Sequence, residues 1–550
     1  MTEQYSYELP LQRIEAMVQE RPNDPWLHEQ IGDEWVTYSV AETFRQIKVI
    51  AAAMHAQGWQ AGDKIAIIGK NSPQWLISDY AMMAAGLISV PIYATAGVGT
   101  IEYVLEHSGA KAVYIGKVEG TDALETANID IPVIAYPDYN LPTRTADFKW
   151  HDWLESHQEI SHVNTGTAHE TATIVYTSGS TGRPKGVVLS YENLAAGAKD
   201  MVDALEDTGP SRMLSYLPMA HITERSCVTL ASVYGPVEIF FNGGLNTFAA
   251  DLQHAKPTNF LSVPRLWAKF QAQILAAIPD EQLQAMLDSE DGEAIALGIR
   301  TKLGLENGVQ FGSGSAPIAP GLLRWFSRIG IDICEGWGMS ETSGASCSNA
   351  PFIKEQLGTI GRPVGNVQMK LSDADEILIK GPSIFKEYYN NPEVTAESFV
   401  DGWFRTGDKA RINEDGSYSI IGRVKEQFKT AKGKYVAPVP IESLLGSISY
   451  VEQVCVLGLG RAQPMAILVL AEVPGEDRAS LAAKLESEMD TINAGLEPHC
   501  RLNHMLVSAE PWTIENGMLT PTLKLKRDQI EAQFANFIGD EFSAKIAWQS

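Results

Sequence analysis

The sequence predicts an α/β protein, and three observations predict it. From Lys64 onward short β-rich runs alternate with helical patterns, a glycine- and hydroxyl-rich loop near residue 180 sits between two apolar runs, and beyond about Gly365 the alternation gives way to short strands broken by turn signals. Alternating strand and helix patterns are the mark of parallel α/β units. At 550 residues the chain can form several hydrophobic cores, on a prior of roughly 100–200 residues per domain.

Taken in order, KIAIIG from Lys64, ISVPIYA from Ile88 and AKAVYIG from Ala110 read as strands, with a helix over residues 75–85 between the first two. After the loop, Ser190 is placed to cap a helix that runs through Leu194 to Leu205, because a serine hydroxyl accepts a free N–H of the first turn. Strands are expected near 238–241 and 259–263, and a helix over 265–277. Residues 365–421 read as mostly β, with turns at 372–375 and 414–416. The last 125 or so residues read as a small α+β unit, with the domain boundary at 422–426.

Composition narrows the function. A formal charge of -25 argues against a general nucleic-acid binder, since phosphate backbones demand clustered Lys and Arg. Cys227, Cys334, Cys347, Cys455 and Cys500 show neither a C-x-x-C pair nor a metal-ligand spacing, which fits a reducing cytoplasm. The N-terminus, MTEQYSYELPLQRIE, has no apolar core of a secretory signal. The apolar stretches 81–92 and 228–241 are short or interrupted by Gly235, Pro236 and Glu238, so no transmembrane span is expected.

The loop TSGSTGRPKGV, residues 177–187, is built to hold phosphate. Glycines let backbone N–H groups approach an anion, hydroxyls donate to its oxygens and lysine supplies charge. It is not a Walker loop, because Lys185 is followed by Gly186 and an apolar run rather than by Ser or Thr and a helix. The flanks read strand, loop, strand.

This string resembles the phosphate loop of the adenylate-forming superfamily, and the resemblance extends over nearly the whole chain. YLPMAHITER (216–225), VPRLWAKF (263–270) and GKYVAP (433–438) are most similar to AMP-forming long-chain fatty acyl-CoA synthetases. The resemblance implies an N-terminal domain of stacked α/β subdomains plus a β-rich subdomain over 1–422, a hinge at 423–426 about Lys425, and a small mobile α+β C-terminal domain over 427–550.

It also implies site residues. Thr177, Ser178, Gly179, Ser180, Thr181, Gly182 and Lys185 would meet the ATP phosphates, and Gly314, Ser315, Ala316 and Pro317 of GSGSAP would form the adenine turn. In EGWGMSETSG, Glu335, Gly336, Trp337 and Gly338 line the nucleotide, Ser340 touches phosphate and Glu341, with Thr181, holds Mg²⁺. Tyr and Thr are commoner in the family where this chain has Trp337 and Ser340, and the π-face and hydroxyl are kept. Asp408 would accept the ribose hydroxyls, beside Ile420 and Arg423. His221 would stand beside the bound carboxylate, with an acyl tunnel from His221 to Phe241 and past residues 312–316. Lys524, followed by Leu525, Lys526 and Arg527, matches the mobile catalytic lysine, although Leu523 replaces the glycine many relatives place before it.

The implied reaction is ATP-dependent conversion of a fatty acid, through acyl-AMP, to acyl-CoA, with ATP, Mg²⁺ and coenzyme A as cofactors and cosubstrates. An acyl-AMP ligase serving a carrier protein and an aryl or other carboxylate–CoA ligase are the alternatives. An amino-acid-activating enzyme is weakened because no acid for a substrate amine is evident, and a pseudoenzyme because Lys524, Glu341 and Asp408 are all present. Partners are small molecules, with room for a homodimer and for peripheral contact with the inner face of the membrane.

Overall fold

The computed structural model describes residues 6–177, 183–205, 209–448, 450–471, 477–514, 516–520, 524–538 and 544–549. Its architecture is α/β, with four sheets between residues 25 and 423 and a smaller α+β unit after them.

The largest sheet has eight strands, in the spatial order Glu387–Tyr388, Lys185–Ser190, Thr171–Thr177, Ile88–Ile92, Lys64–Ile68, Ala112–Ile115, Val133–Ala135 and Phe148–Lys149. From Thr171–Thr177 outward every pairing is parallel. Ile65, Ala66, Ile67 and Ile68 are all 0% exposed, as a parallel sheet covered on both faces requires. The helix Pro73–Ala84 that crosses over is buried along its whole length. It starts two residues before the expected position, because Ser72 caps it and Pro73 is preset for a first helical turn.

A five-stranded sheet places Asn259–Ser262, Gln310–Ser313, Ile333–Met339, Gly344–Ser348 and Arg362–Pro363 side by side. A four-stranded sheet joins Ser211–Ser215 and Val237–Phe241 to the N-terminal strands Pro25–Ile31 and Glu34–Ser39. The β-rich region follows, its strands Gln368–Leu371, Glu376–Lys380, Trp403–Ile412 and Tyr418–Arg423 joined by turns where the sequence places them.

The apolar run 228–241 is neither one helix nor a span. It opens as a π-helical segment, Arg225–Leu230, continues as the short helix Ala231–Tyr234 and ends in the strand Val237–Phe241. Arg225, 0% exposed, anchors it by an ion pair to Asp79 at 2.7 Å and a hydrogen bond to Thr173 at 2.9 Å. Among the described residues no helix is long and apolar enough to cross a membrane.

The C-terminal unit carries the sheet Val451–Leu457, Met465–Leu470, His504–Val507 and Ile546–Trp548 with helices Pro438–Leu445, Arg478–Ala494 and Arg527–Gln533. Among the described residues its two hydrophobic clusters draw only on residues 428–548, and the other four only on residues 7–420. Separate cores let two bodies turn against each other without unpacking either.

Candidate active site

The strands Thr171–Thr177 and Lys185–Ser190 are antiparallel, with Thr177 opposite Lys185, and form the two arms of a hairpin. Ser178, Gly179, Ser180, Thr181 and Gly182 lie outside the described residues. The second strand runs directly into the helix Tyr191–Ala204, where Ser190 accepts from Asn193 N–H at 3.1 Å and Asn193 Oδ1 accepts from Ser190 N–H at 2.9 Å, a reciprocal cap. At the hairpin's base the Lys185 ammonium lies 4.9 Å from the Tyr388 ring centroid and Arg183 lies 5.5 Å from that of Tyr103. These residues line a cavity of ≈310 Å³.

Ile333–Met339 positions the next group, because it pairs in two directions. Its first half is parallel to Gln310–Ser313, setting Ser313 beside Glu335, and its second half is antiparallel to Gly344–Ser348. The predicted adenine turn, which follows Ser313, is thereby brought next to Gly336–Gly338. The register slips between Trp337 and Gly338, and such a bulge re-aims a side chain. A Cβ on Gly338 would fall on the Gly344 carbonyl, so glycine is demanded there by strand packing. Gly314, Ser315, Gly336, Trp337 and Gly338 line a second cavity, whereas Ala316 and Pro317 are exposed outside it. Glu335 does not share that lining: its carboxylate accepts from Gly358 N–H at 2.9 Å, and burial pushes its pKa up to about 8.

The hairpin's tip is a single 3₁₀ turn, Ser340–Thr342, with all three residues buried. Glu341, 8% exposed, accepts from the Tyr388 hydroxyl at 2.8 Å. Across the site Asp408 and Arg423 are partners on adjacent strands. Arg423 Nε donates to Asp408 Oδ1 at 2.8 Å and the Trp337 indole donates to Oδ2 at 3.0 Å. Each carboxylate oxygen has capacity for a further donor. Ile420 and Trp337 pack against the same small cluster around Cys347 and Tyr418. Lys425 is exposed just beyond this strand.

His221 and Lys524 complete the constellation from two different units. His221 Nδ1 accepts from Thr223 N–H at 3.2 Å, so the ring proton belongs on Nε2, which is left as a donor. Burial, reinforced by the Lys524 charge, holds the ring neutral by lowering its pKa to about 3. Lys524 is fixed at its backbone by Thr520: its N–H donates to the threonine hydroxyl at 3.0 Å and its carbonyl accepts from Thr520 N–H at 2.8 Å. The residue keeps solvent access, yet crowding by protein lowers its pKa. Arg423 lowers it further, while Asp408, Glu341 and Glu426 raise it. Lys526, by contrast, is the N-cap of the helix Arg527–Gln533.

In the short helix that His221 caps lies Glu224, which the sequence reading does not single out. It is 1% exposed, accepts from the Ser215 hydroxyl at 2.6 Å, and burial pushes its pKa up to about 8. Its place inside the His221 string, YLPMAHITER, is the one signal that could have marked it. Tyr388 is the other residue missed, and no spacing links it to Glu341 or Lys185.

The second cavity, ≈470 Å³, runs from Trp337, Gly314 and Ser315 past Thr223, Cys227 and Ala231 to Tyr234, Gly235 and Met201. Thr223, Cys227 and Ala231 recur every four residues along the π-helical segment and its neighbours. A π-turn shifts the face that a helix presents, and here it keeps one stripe on the cavity.

The sequence matches the AMP-binding enzyme family over residues 14–389, and the AMP-binding enzyme C-terminal domain over residues 425–545. The chain belongs to the AMP-binding enzyme family. Similar members include fatty acyl-CoA synthetase A of Dictyostelium discoideum, 31% identical over 92% of this chain and 86% of that protein. Peroxisomal long chain acyl-CoA synthetase 7 of Arabidopsis thaliana is 31% identical, over 94% of this chain and 83% of that one. Among solved structures, the adenylation domain of a carboxylate reductase from Mycobacterium chelonae has a TM-score of 0.81 at 23% identity, covering 96% of this chain and 90% of that one. An anthranilate CoA ligase bound to anthranoyl-AMP also has a TM-score of 0.81, at 19% identity, covering 98% and 99%. These two share the fold of this AMP-binding enzyme.

Proposed function

We propose that this AMP-binding enzyme joins a long- or medium-chain fatty acid to ATP as acyl-AMP and then passes the acyl group to coenzyme A, releasing pyrophosphate and AMP. The observations that carry the reading are the Asp408 carboxylate held between Arg423 and Trp337, the cavity lined by Trp337 and Gly314, and a Lys524 whose charge is felt at His221 and which itself feels Arg423, Asp408 and Glu341. The relatives' names support a fatty acid as the substrate.

In the first half-reaction Trp337 lies on adenine, Asp408 takes the ribose hydroxyls with Arg423 and Ile420 alongside, and Thr177, the 178–182 loop, Ser340 and Lys185 hold the phosphates. The fatty acid carboxylate is ionised at neutral pH, so no protein nucleophile is needed. His221, neutral, offers Nε2–H to it, and Lys524 steadies the charge that develops as its oxygen attacks the α-phosphorus and pyrophosphate departs.

The residues present fit a magnesium ion. Glu341 is a buried carboxylate with no cation in ion-pair contact among the described residues, where no cluster of three or more potential ligands occurs either. Magnesium commonly takes one or two carboxylates plus substrate phosphates. Glu341, with Thr181, would hold it, and when bound it supplies charge neutralisation at the phosphates. In the second half-reaction residues 427–550 turn about Lys425, withdraw Lys524 and admit the CoA thiol. A cytoplasmic location belongs to the same reading, supported by five cysteines that form no disulfide. Homodimerisation and contact with a membrane surface belong to the same reading and are checked by sedimentation of the protein alone and with vesicles.

The test is release of pyrophosphate and AMP with acids from acetate to oleate, with and without CoA. CoA-dependent turnover peaking at medium or long chains supports the reading. One stoichiometric burst of pyrophosphate unchanged by CoA points to an acyl-AMP ligase instead, and silence with all fatty acids overturns it.

A further inference from the structure

Tyr388 stands between two groups of opposite charge. Its hydroxyl donates to Glu341 Oε1 at 2.8 Å, and its ring lies 4.9 Å below the Lys185 ammonium. The residue is 5% exposed and held on several sides. It pairs with Val187 at the edge of the phosphate-loop hairpin, its N–H donates to Thr395 Oγ1 at 3.0 Å, and Phe385 packs edge-on at 4.8 Å. Phe385 N–H donates in turn to the Glu341 carbonyl at 2.8 Å.

A buried phenol needs some acceptor, and packing alone would be served by any carbonyl. The acceptor here is instead a carboxylate with no cation in ion-pair contact among the described residues. A phenol fixes one oxygen of that carboxylate without cancelling its charge, which an arginine or lysine in the same place would do. The π-face likewise holds an ammonium without neutralising it. With both on one ring, Lys185 and Glu341 are kept from collapsing into an ion pair with each other.

We propose that Tyr388 is a positioning residue for adenylate formation, its ring and hydroxyl holding Lys185 and Glu341 apart, one for the triphosphate and the other for the divalent cation. This rests on the roles assigned to those two residues under the proposed function.

The experiment compares wild type with Tyr388→Phe, Tyr388→Leu, Glu341→Gln and the double variant Tyr388→Phe/Glu341→Gln. Mn²⁺ binding is followed by electron paramagnetic resonance in the presence of α,β-methylene-ATP, and binding of that analogue without metal by intrinsic fluorescence. Tyr388→Phe, which keeps the ring, is expected to weaken Mn²⁺ by about tenfold, the scale of a hydrogen bond to a charged group, and to leave metal-free nucleotide binding within about twofold. Tyr388→Leu is expected to weaken nucleotide binding as well, by about threefold or more. Conversion of supplied acyl-AMP and CoA to acyl-CoA stays within about twofold in both. In the double variant the two Mn²⁺ effects are expected to be less than additive.

Wild-type Mn²⁺ affinity in Tyr388→Phe, while Glu341→Gln loses it, overturns this inference alone. Unchanged Mn²⁺ affinity in Glu341→Gln overturns the metal assignment and this inference with it. Equal loss of both half-reactions in Tyr388→Phe, with a lowered melting temperature, would make the tyrosine a packing residue only and overturns the inference too.

Discussion

The indole of Trp337 donates to Oδ2 of Asp408 at 3.0 Å, joining the hairpin that carries Glu341 to the β-rich region that carries Arg423. Asp408 is thus held from both sides, by Trp337 on one oxygen and by Arg423 at 2.8 Å on the other. A carboxylate fixed in this way is already oriented for the ribose hydroxyls it is proposed to accept, and preorganisation of that kind lowers the cost of binding.

Replacing Trp337 by Phe keeps a π-face and removes the N–H. The expected result is a loss of about tenfold in kcat/KM for ATP, the scale of a hydrogen bond to a charged group, with little change in kcat. Asp408→Ala should cost more, because Arg423 is then left without its partner. Initial rates of pyrophosphate release at varied ATP check both.

Lys524→Ala should lower adenylation by about 10²–10³-fold, the scale of removing one charge-stabilising donor, and leave conversion of supplied acyl-AMP to acyl-CoA within about twofold. Lys526→Ala should leave both rates near wild type. Single-turnover assays of each half-reaction separate the outcomes, and parallel loss of both in Lys524→Ala contradicts alternation of the two domains.

Glu224 makes stability depend on pH. Its folded pKa is about 8 against an ordinary 4.5, so above 4.5 the unfolded chain releases a proton that the folded protein retains. The stability it contributes is therefore full below 4.5 and is lost as pH rises through about 8. Melting temperature should fall more steeply between those limits in wild type than in Glu224→Gln, as differential scanning calorimetry across pH can measure. Parallel curves for the two proteins would contradict a buried, protonated Glu224.

Ala231 lines the larger cavity on the stripe it shares with Thr223 and Cys227. Filling that space by Ala231→Phe should reduce kcat/KM for long-chain acids roughly tenfold or more while sparing the shortest, since an overpacked site rejects bulk steeply. A chain-length series of initial rates tests it, and uniform loss at every length would place the acyl group elsewhere.

Much of the scaffold was legible because it is encoded by neighbours in the chain. The alternation of β-rich runs and helices, the strands flanking the phosphate loop and the Ser190 cap all appear where the pattern puts them, each depending on residues within a turn or two of one another. The run 228–241 was less legible. Its apolar residues serve a π-helical segment, a short helix and a strand in succession, and hydrophobicity has no period that announces a π-turn.

The site divides in the same way. Trp337, Asp408, Arg423 and Lys524 stand in recognisable strings, so residue types and order by themselves determined the family and its α/β class. Which charges meet was decided only by tertiary structure. Tyr388 reaches Lys185 across about 200 residues of chain, the Lys524 ammonium feels the charges of Asp408 and Arg423 whereas Lys526 caps a helix, and Glu335 turns to Gly358 instead of the cavity. Local pattern records which face of an element is buried. The partner on the other side of that face is set by how distant sheets and the two cores pack, and no spacing along the chain carries that distance.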